Sequence, residues 1–218
     1  MIIDKLKQIP VIPVLRKIPY EKSSAIVQAL LSGGIKVVEI TMETEHAEDM
    51  IRESVSSFGD QMIVGAGTVL DIEDCKRAID AGAQFLVAPV LDEDVIRYSS
   101  ERGVPTIPGV FTPSEMLRAF KLGAPMVKLF PASVLGPNFI KDVKGPLSHI
   151  PIMCTGGITM DTAKHYLDAG ATAVGAGSAL LRKDLIAESN WGGLTEEALR
   201  WMESIKAMNS STSSMMRL

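Results

Sequence analysis

Residues 150–178, IPIMCTGGITMDTAKHYLDAGATAVGAGS, hold the fold in one repeat: an apolar run ending in a glycine-rich turn, a stretch of helical period, an Ala-Gly joint, and a second apolar run ending in another glycine-rich turn. The apolar runs are too short for helices and rich in β-branched or small residues, so they read as strands. Glycine at the joint supplies a left-handed helix end that turns the chain into the next strand. The unit is therefore strand, helix, strand, with both strands parallel.

Working outward, the same unit recurs along the chain. Strands are expected at 12–15, 37–41, 62–66, 85–88, 106–107, 126–129, 152–154 and 173–175, and glycine joints stand at Gly33-Gly34, Gly82, Gly123 and Gly170. Alternating strands and helices imply a parallel sheet with helical crossovers. A doubly wound open sheet shares the local pattern, but eight units in about 200 residues favour a single-domain (β/α)8 TIM barrel. The segment 136–146, short and polar at its edges, is expected to hold the helix after the sixth strand. A last helix is expected from Thr195, as N-cap, to Met208, which gives a barrel domain over 1–208 and an unstructured serine-rich tail over 209–218.

Composition narrows the functional classes. The 218 residues are 46% hydrophobic, enough for one substantial core, and carry a net charge of −4 with the 22 Lys and Arg scattered, so no nucleic-acid surface is expected. Cys75 and Cys154 are far apart and lack metal-ligand spacing, which fits buried thiols in a reducing compartment. The N-terminal stretch lacks an apolar core with a cleavage site, and no apolar run reaches membrane-spanning length. A cytoplasmic, membrane-free protein is expected.

In such a barrel, chemistry sits at the C-terminal ends of the strands. Lys128 in MVKLFP, Glu39 in VVEIT and Thr68 in GAGT interrupt apolar or small-residue strands. Burial lowers a lysine's pKa and frees the amine to attack a carbonyl carbon, and a nearby carboxylate serves the proton transfers that follow. A structural Glu39–Lys128 ion pair is the alternative these residues leave open. The turns Thr155-Gly156-Gly157 and Gly175-Ala176-Gly177-Ser178 follow the last two strands, where barrels often bind phosphate through backbone N–H groups. His46, His149 and His165 have no ligand spacing and read as surface residues, Trp191 and Trp201 read as packing anchors, and no metal site or cofactor is expected.

These motifs together resemble the 2-keto-3-deoxy-6-phosphogluconate (KDPG) and 4-hydroxy-2-oxoglutarate (KHG) aldolases over residues 9–181. The resemblance rests on Val38-Glu39-Ile40-Thr41, residues 65–69 (GAGTV), residues 108–115 (PGVFTPSE), residues 127–132 (VKLFPA) and Thr155-Gly156-Gly157-Ile158. It implies a metal-free class I aldolase, with Lys128 as Schiff-base residue and Glu39 as proton shuttle. Thr68, Pro89 and Phe130 would line a pyruvate pocket, and Gly156, Gly157 and Ser178, with Gly177 from the same turn, would hold a phosphate. The expected partner is a phosphorylated 2-keto acid, and the family's usual assembly is a homotrimer. The expected reaction is cleavage of KDPG to pyruvate and glyceraldehyde 3-phosphate; KHG, the phosphogalactonate epimer, or non-catalytic phosphosugar binding are the alternatives.

One position departs from the pattern. Many relatives carry an arginine four residues after the catalytic glutamate to grip the substrate carboxylate, and here Glu43 stands there. Arg16, at the end of the neighbouring first strand, is expected to take over that grip, with Glu43 orienting it.

Overall fold

The runs VIPVL, VVEIT and IVGAG are buried at every position, as strands covered by helices outside and by the barrel interior inside must be. In the computed structural model, which describes residues 2–215, they form β1 (Val11–Leu15), β2 (Val37–Thr41) and β3 (Ile63–Gly67). The others are β4 (Leu86–Val87), β5 (Thr106–Ile107), β6 (Gly109–Val110), β7 (Val127–Leu129), β8 (Ile152–Thr155) and β9 (Ala173–Ala176). Every pairing is parallel, in the order β5-β4-β3-β2-β1-β9-β8-β7-β6.

The expected barrel is borne out, with one change. The fifth strand is split at Pro108, which has no N–H to give to a ladder. Its first half, β5, pairs with β4 and its second half, β6, with β7, while the Pro108 carbonyl accepts the Lys128 N–H at 2.8 Å. The nine segments thus trace eight staves.

Helices α2 (Tyr20–Ser32), α3 (Ala47–Phe58), α4 (Ile72–Asp80), α5 (Glu93–Glu101), α6 (Pro113–Lys121), α7 (Ala132–Lys144) and α8 (Met160–Asp168) fill the crossovers, followed by the short α9 (Lys183–Ala187). Their starts are written in capping residues. Asp71, Asp92, Thr112 and Thr159 each accept the N–H three residues on, and Thr112 with Glu115 closes a capping box that has Pro113 at the first helical position. Gly82 and Gly170 take φ of 95° and 106° at the helix-to-strand joints, the left-handed conformation expected there. Helix α7 starts at Ala132, earlier than the 136–146 segment expected, and is two pieces joined across Gly136, whose φ of 73° and ψ of 172° admit Pro137 behind it.

The final helix, α10 (Trp191–Met215), corrects the expected boundaries. It starts at Trp191 instead of Thr195, whose hydroxyl bonds the Ala29 carbonyl on α2 rather than capping. It also runs past Met208 through the serine-rich stretch to Met215, because extending a helix already nucleated by the packed turns before it needs no new nucleus. Residues 216–218 of the expected tail lie outside the described residues.

A short N-terminal helix, α1 (Ile2–Leu6), was not expected. It sets Leu6, fully buried, under the barrel against a layer that includes Ile12, Val37, Phe85, Ile107, Met126 and Met153. Side chains thus fill the lower interior, and polar groups gather at the other end.

Candidate active site

Strand alternation turns Val37 and Glu39 on β2 inward, and likewise Met126, just before β7, and Lys128 on it, and Met153 and Thr155 on β8. By strand order, β2 and β7 are diametrically opposite, with three staves between them on either side. Glu39 and Lys128 therefore face each other across the interior, one layer above the apolar plug. Glu39 is fully buried and Lys128 is 2% exposed.

The strands are cut away around this pair. A Cβ on Gly67 would lie 1.7 Å from Glu39 Oε1, and one on Gly109, which pairs with Lys128, would lie 2.1 Å from the Pro89 backbone. Neither oxygen of Glu39 has a hydrogen-bond partner, so the two groups are not joined as a structural salt link. Burial raises the Glu39 pKa against the opposing pull of Lys128 and Arg16, and burial lowers the Lys128 pKa against the opposing pull of Glu39. Both shifts favour the uncharged pair, a free amine facing a carboxylic acid. The Phe130 ring, its centroid 5.0 Å from Lys128 Nζ, adds an apolar wall.

The other expected residues stand on the loops above the strand ends. Arg16, half-exposed after β1, places one guanidinium nitrogen 2.7 Å from Glu43 Oε1 and donates through another to Thr68 Oγ1 at 3.2 Å. The acid at position 43 thus holds the arginine. Thr68 itself takes a φ of 50°, rare for a residue other than glycine and of the kind that clusters at functional sites.

A cavity of about 690 Å³ opens beside the mouth, lined by Val14, Arg16, Lys17, Gly177, Ser178 and Lys183 among others. It brings Arg16 and the Gly177-Ser178 turn together. Neither Glu39 nor Lys128 lines it; Val14, the register partner of Glu39, is the link between cavity and pair. Gly156 and Gly157 end β8 next to Phe130 and Ser133 and do not line this cavity; a Cβ on Gly157 would meet the Ser133 side chain at 2.6 Å.

The sequence reading missed Thr155. Its hydroxyl is buried without a partner, and Gly175, its neighbour on β9, leaves the space it occupies. Two-residue parity from Met153 is the signal for it, and the structure extends the strand one residue past Cys154 to include it.

The remaining candidates fall away from the site. His46 packs on Tyr20 and His149 edge-on against Phe120. Cys75 and Cys154 are free and buried, with thiols pushed up to about 11 and about 12, so neither is a nucleophile at neutral pH. Among the described residues no group of three His, Cys, Asp or Glu is placed to hold a metal, and no helix is long and apolar enough to cross a membrane.

Comparison with known proteins follows the same lines. Residues 2–196 match the aldolase family described as KDPG and KHG aldolase. The chain is 35% identical to the 2-dehydro-3-deoxy-6-phosphogalactonate aldolase of Escherichia coli K12 over 176 residues, 80% of this chain and 86% of that one. It is 33% identical to the KHG/KDPG aldolase of the same organism over 198 residues, 90% and 92% of the two chains. A solved KDPG aldolase from Legionella pneumophila, with pyruvate captured at low pH as a covalent carbinolamine intermediate, superposes with a TM-score of 0.84 at 29% identity, covering 89% of this chain and 95% of that one. Family match, coverage and barrel agree, and the chain belongs to the KDPG and KHG aldolase family of carbon–carbon lyases.

Proposed function

We propose that this aldolase cleaves KDPG to pyruvate and glyceraldehyde 3-phosphate through an imine on Lys128, with Glu39 carrying the protons. The observation that carries the reading is the buried Glu39 carboxyl with both oxygens unpartnered, facing a buried Lys128 across the barrel. Burial, which favours the uncharged form of each group, suits the first step. The neutral amine attacks the keto carbon, and the protonated Glu39 gives its proton to the departing hydroxyl, so that water leaves and a protonated imine remains. Glu39, now a carboxylate, takes the proton of the substrate hydroxyl. The adjacent carbon–carbon bond breaks, its electrons flow into the iminium, and an enamine and the aldehyde result. Return of the proton to the enamine carbon and addition of water release pyruvate and restore the amine.

In this reading Arg16 forks onto the keto acid's carboxylate, held in aim by Glu43 and Thr68, while Thr68, Pro89 and Phe130 shape the pyruvate end. The phosphate rests on the turns Gly156-Gly157 and Gly177-Ser178. Lys17 and Lys183 on the cavity wall supply favourable potential.

The phosphogalactonate epimer is the second reading, favoured by the 35% identity to the E. coli enzyme named for it. The two substrates give the same products and differ at the carbon whose hydroxyl Glu39 deprotonates. Comparing kcat/KM of the purified protein on KDPG, its galactonate epimer and KHG tests the choice. A preference for KDPG is expected; a tenfold preference for either rival would replace it.

A cytoplasmic setting is supported by the two unpaired thiols. Assembly as a homotrimer is supported by the exposed apolar residues Leu70, Val90 and Phe111 after β3, β4 and β6, and Val134 in the first turn of α7. Light scattering on the eluting protein should give three times the chain mass; a monomer would refute it.

A further inference from the structure

Arg16 stands on an exposed loop, yet the peptide groups on both sides of it are held by two buried threonines. Thr41 Oγ1 donates to the Leu15 carbonyl at 3.3 Å, the Lys17 N–H donates to Thr44 Oγ1 at 2.9 Å, and the two hydroxyl oxygens lie 2.9 Å apart. With the Thr41 proton committed to Leu15, the shared proton belongs to Thr44. The chain then runs one way, from Lys17 N–H through Thr44 and Thr41 to the Leu15 carbonyl, and each link polarises the next.

The Leu15 carbonyl and the Lys17 N–H belong to the two rigid peptide planes that meet at the Arg16 Cα. Fixing both planes fixes the direction in which the Arg16 side chain leaves the backbone. Lys17 is held at a φ of 50°, a conformation costly for a side chain with a Cβ, and the bond to Thr44 is what retains it. The β2 loop therefore grips the arginine twice: Glu43 at its tip and Thr44 at its root. Thr44 is 5% exposed and Thr41 fully buried, so the two hydroxyls and the bond to Leu15 are shielded from water.

We infer that Thr44 is a positioning residue for the substrate carboxylate, acting through the backbone on either side of Arg16. The inference rests on the proposed role of Arg16. Pyruvate carries the carboxylate common to all the candidate substrates, so the probe is the pyruvate concentration that half-saturates borohydride trapping on the full-length protein.

Thr44→Val, which keeps the shape and removes the hydroxyl, should raise that concentration about tenfold, the scale of one charge-assisted hydrogen bond. The trapping rate at saturation should stay within about twofold, and Thr44→Ser should restore the parental value. In an Arg16→Ala background, Thr44→Val should add nothing, because the group it aims is gone. Should Thr44→Val not fold, Thr44→Ala removes the same hydroxyl and takes its place. The inference is overturned if the valine variant leaves half-saturation unchanged, or shifts it equally with and without Arg16. If Arg16→Ala itself leaves half-saturation at the parental value, the role of Arg16 fails and the inference falls with it.

Discussion

Gly67→Ala is the sharpest test of the glutamate's place in the chemistry. A single methyl there would sit 1.7 Å from Glu39 Oε1, 2.3 Å from its Cδ and 2.5 Å from its Cγ, where real contacts do not fall below 3.0 Å. Restoring the closest contact moves the carboxyl by 1.3 Å, the difference between 3.0 and 1.7 Å. The end of a glutamate side chain turns without moving the backbone, so the stability loss should stay near the low end of the ~1–3 kcal/mol usual for overpacking. Proton transfer is less forgiving. It needs heavy atoms within about 2.6–3.2 Å, and a misplacement of ~1 Å costs on the order of a hundredfold. The expected outcome is a folded protein by circular dichroism whose kcat on KDPG falls about a hundredfold, measured by coupling pyruvate release to lactate dehydrogenase. A folded variant with kcat within about threefold of the parent would refute the claim that the carboxyl must lie where the structure puts it.

Borohydride with pyruvate should leave a reduced adduct, pyruvate less its keto oxygen, on Lys128 alone, and Lys128→Ala should abolish both adduct and turnover; an adduct on another lysine would end the imine assignment. Only the free amine attacks, and burial lowers the Lys128 pKa, so trapping should climb with pH and level off well below the ordinary lysine value of 10.5. Glu39→Gln should keep the fold and lower kcat by about two orders of magnitude or more, and near-parental turnover would make Glu39 structural. Arg16→Lys should raise KM for the keto acid, and Arg16→Ala should raise it further, since a point charge lacks the planar fork; unchanged kinetics in the alanine variant would move the carboxylate elsewhere. The last expectation concerns stability. Glu39, whose pKa is raised, contributes fully below about pH 4.5 and loses that contribution as pH rises through its folded value. Lys128, whose pKa is lowered, contributes fully above pH 10.5 and loses it as pH falls. Near neutrality both burials therefore oppose folding, and Glu39→Leu with Lys128→Met should raise stability by ~1–4 kcal/mol in urea while abolishing activity, whereas a loss of stability would show the pair to be a structural support.

The barrel was legible because the βα units repeat the same punctuation, an apolar run, a stretch of helical period and a glycine at the return. Glu39 and Lys128 were legible because charge inside an apolar strand is costly and so rarely accidental. Arg16 and Glu43 could be paired because neighbouring strands bring their ends together. What escaped depends on contacts distant in sequence. Pro108 divides a strand only because each half answers to a different neighbour, and α1 is too short to show a period. The roles of Thr44 and Thr155 follow from partners, or the absence of them, contributed by other staves. Gly67 reads as an ordinary small residue until the glutamate beside it is in place.

Among the described residues, Leu6 and the layer above it fill the lower end of the barrel, so the chamber faces out at the C-terminal strand ends. In the proposed cycle, water is expelled when the imine forms and must return to hydrolyse it, by the same opening that the aldehyde uses. While the aldehyde fills that opening, the enamine beneath is kept from premature contact with solvent. Departure of the aldehyde and entry of water then share one opening, and pyruvate leaves second because the imine on Lys128 holds its carbons until water has entered.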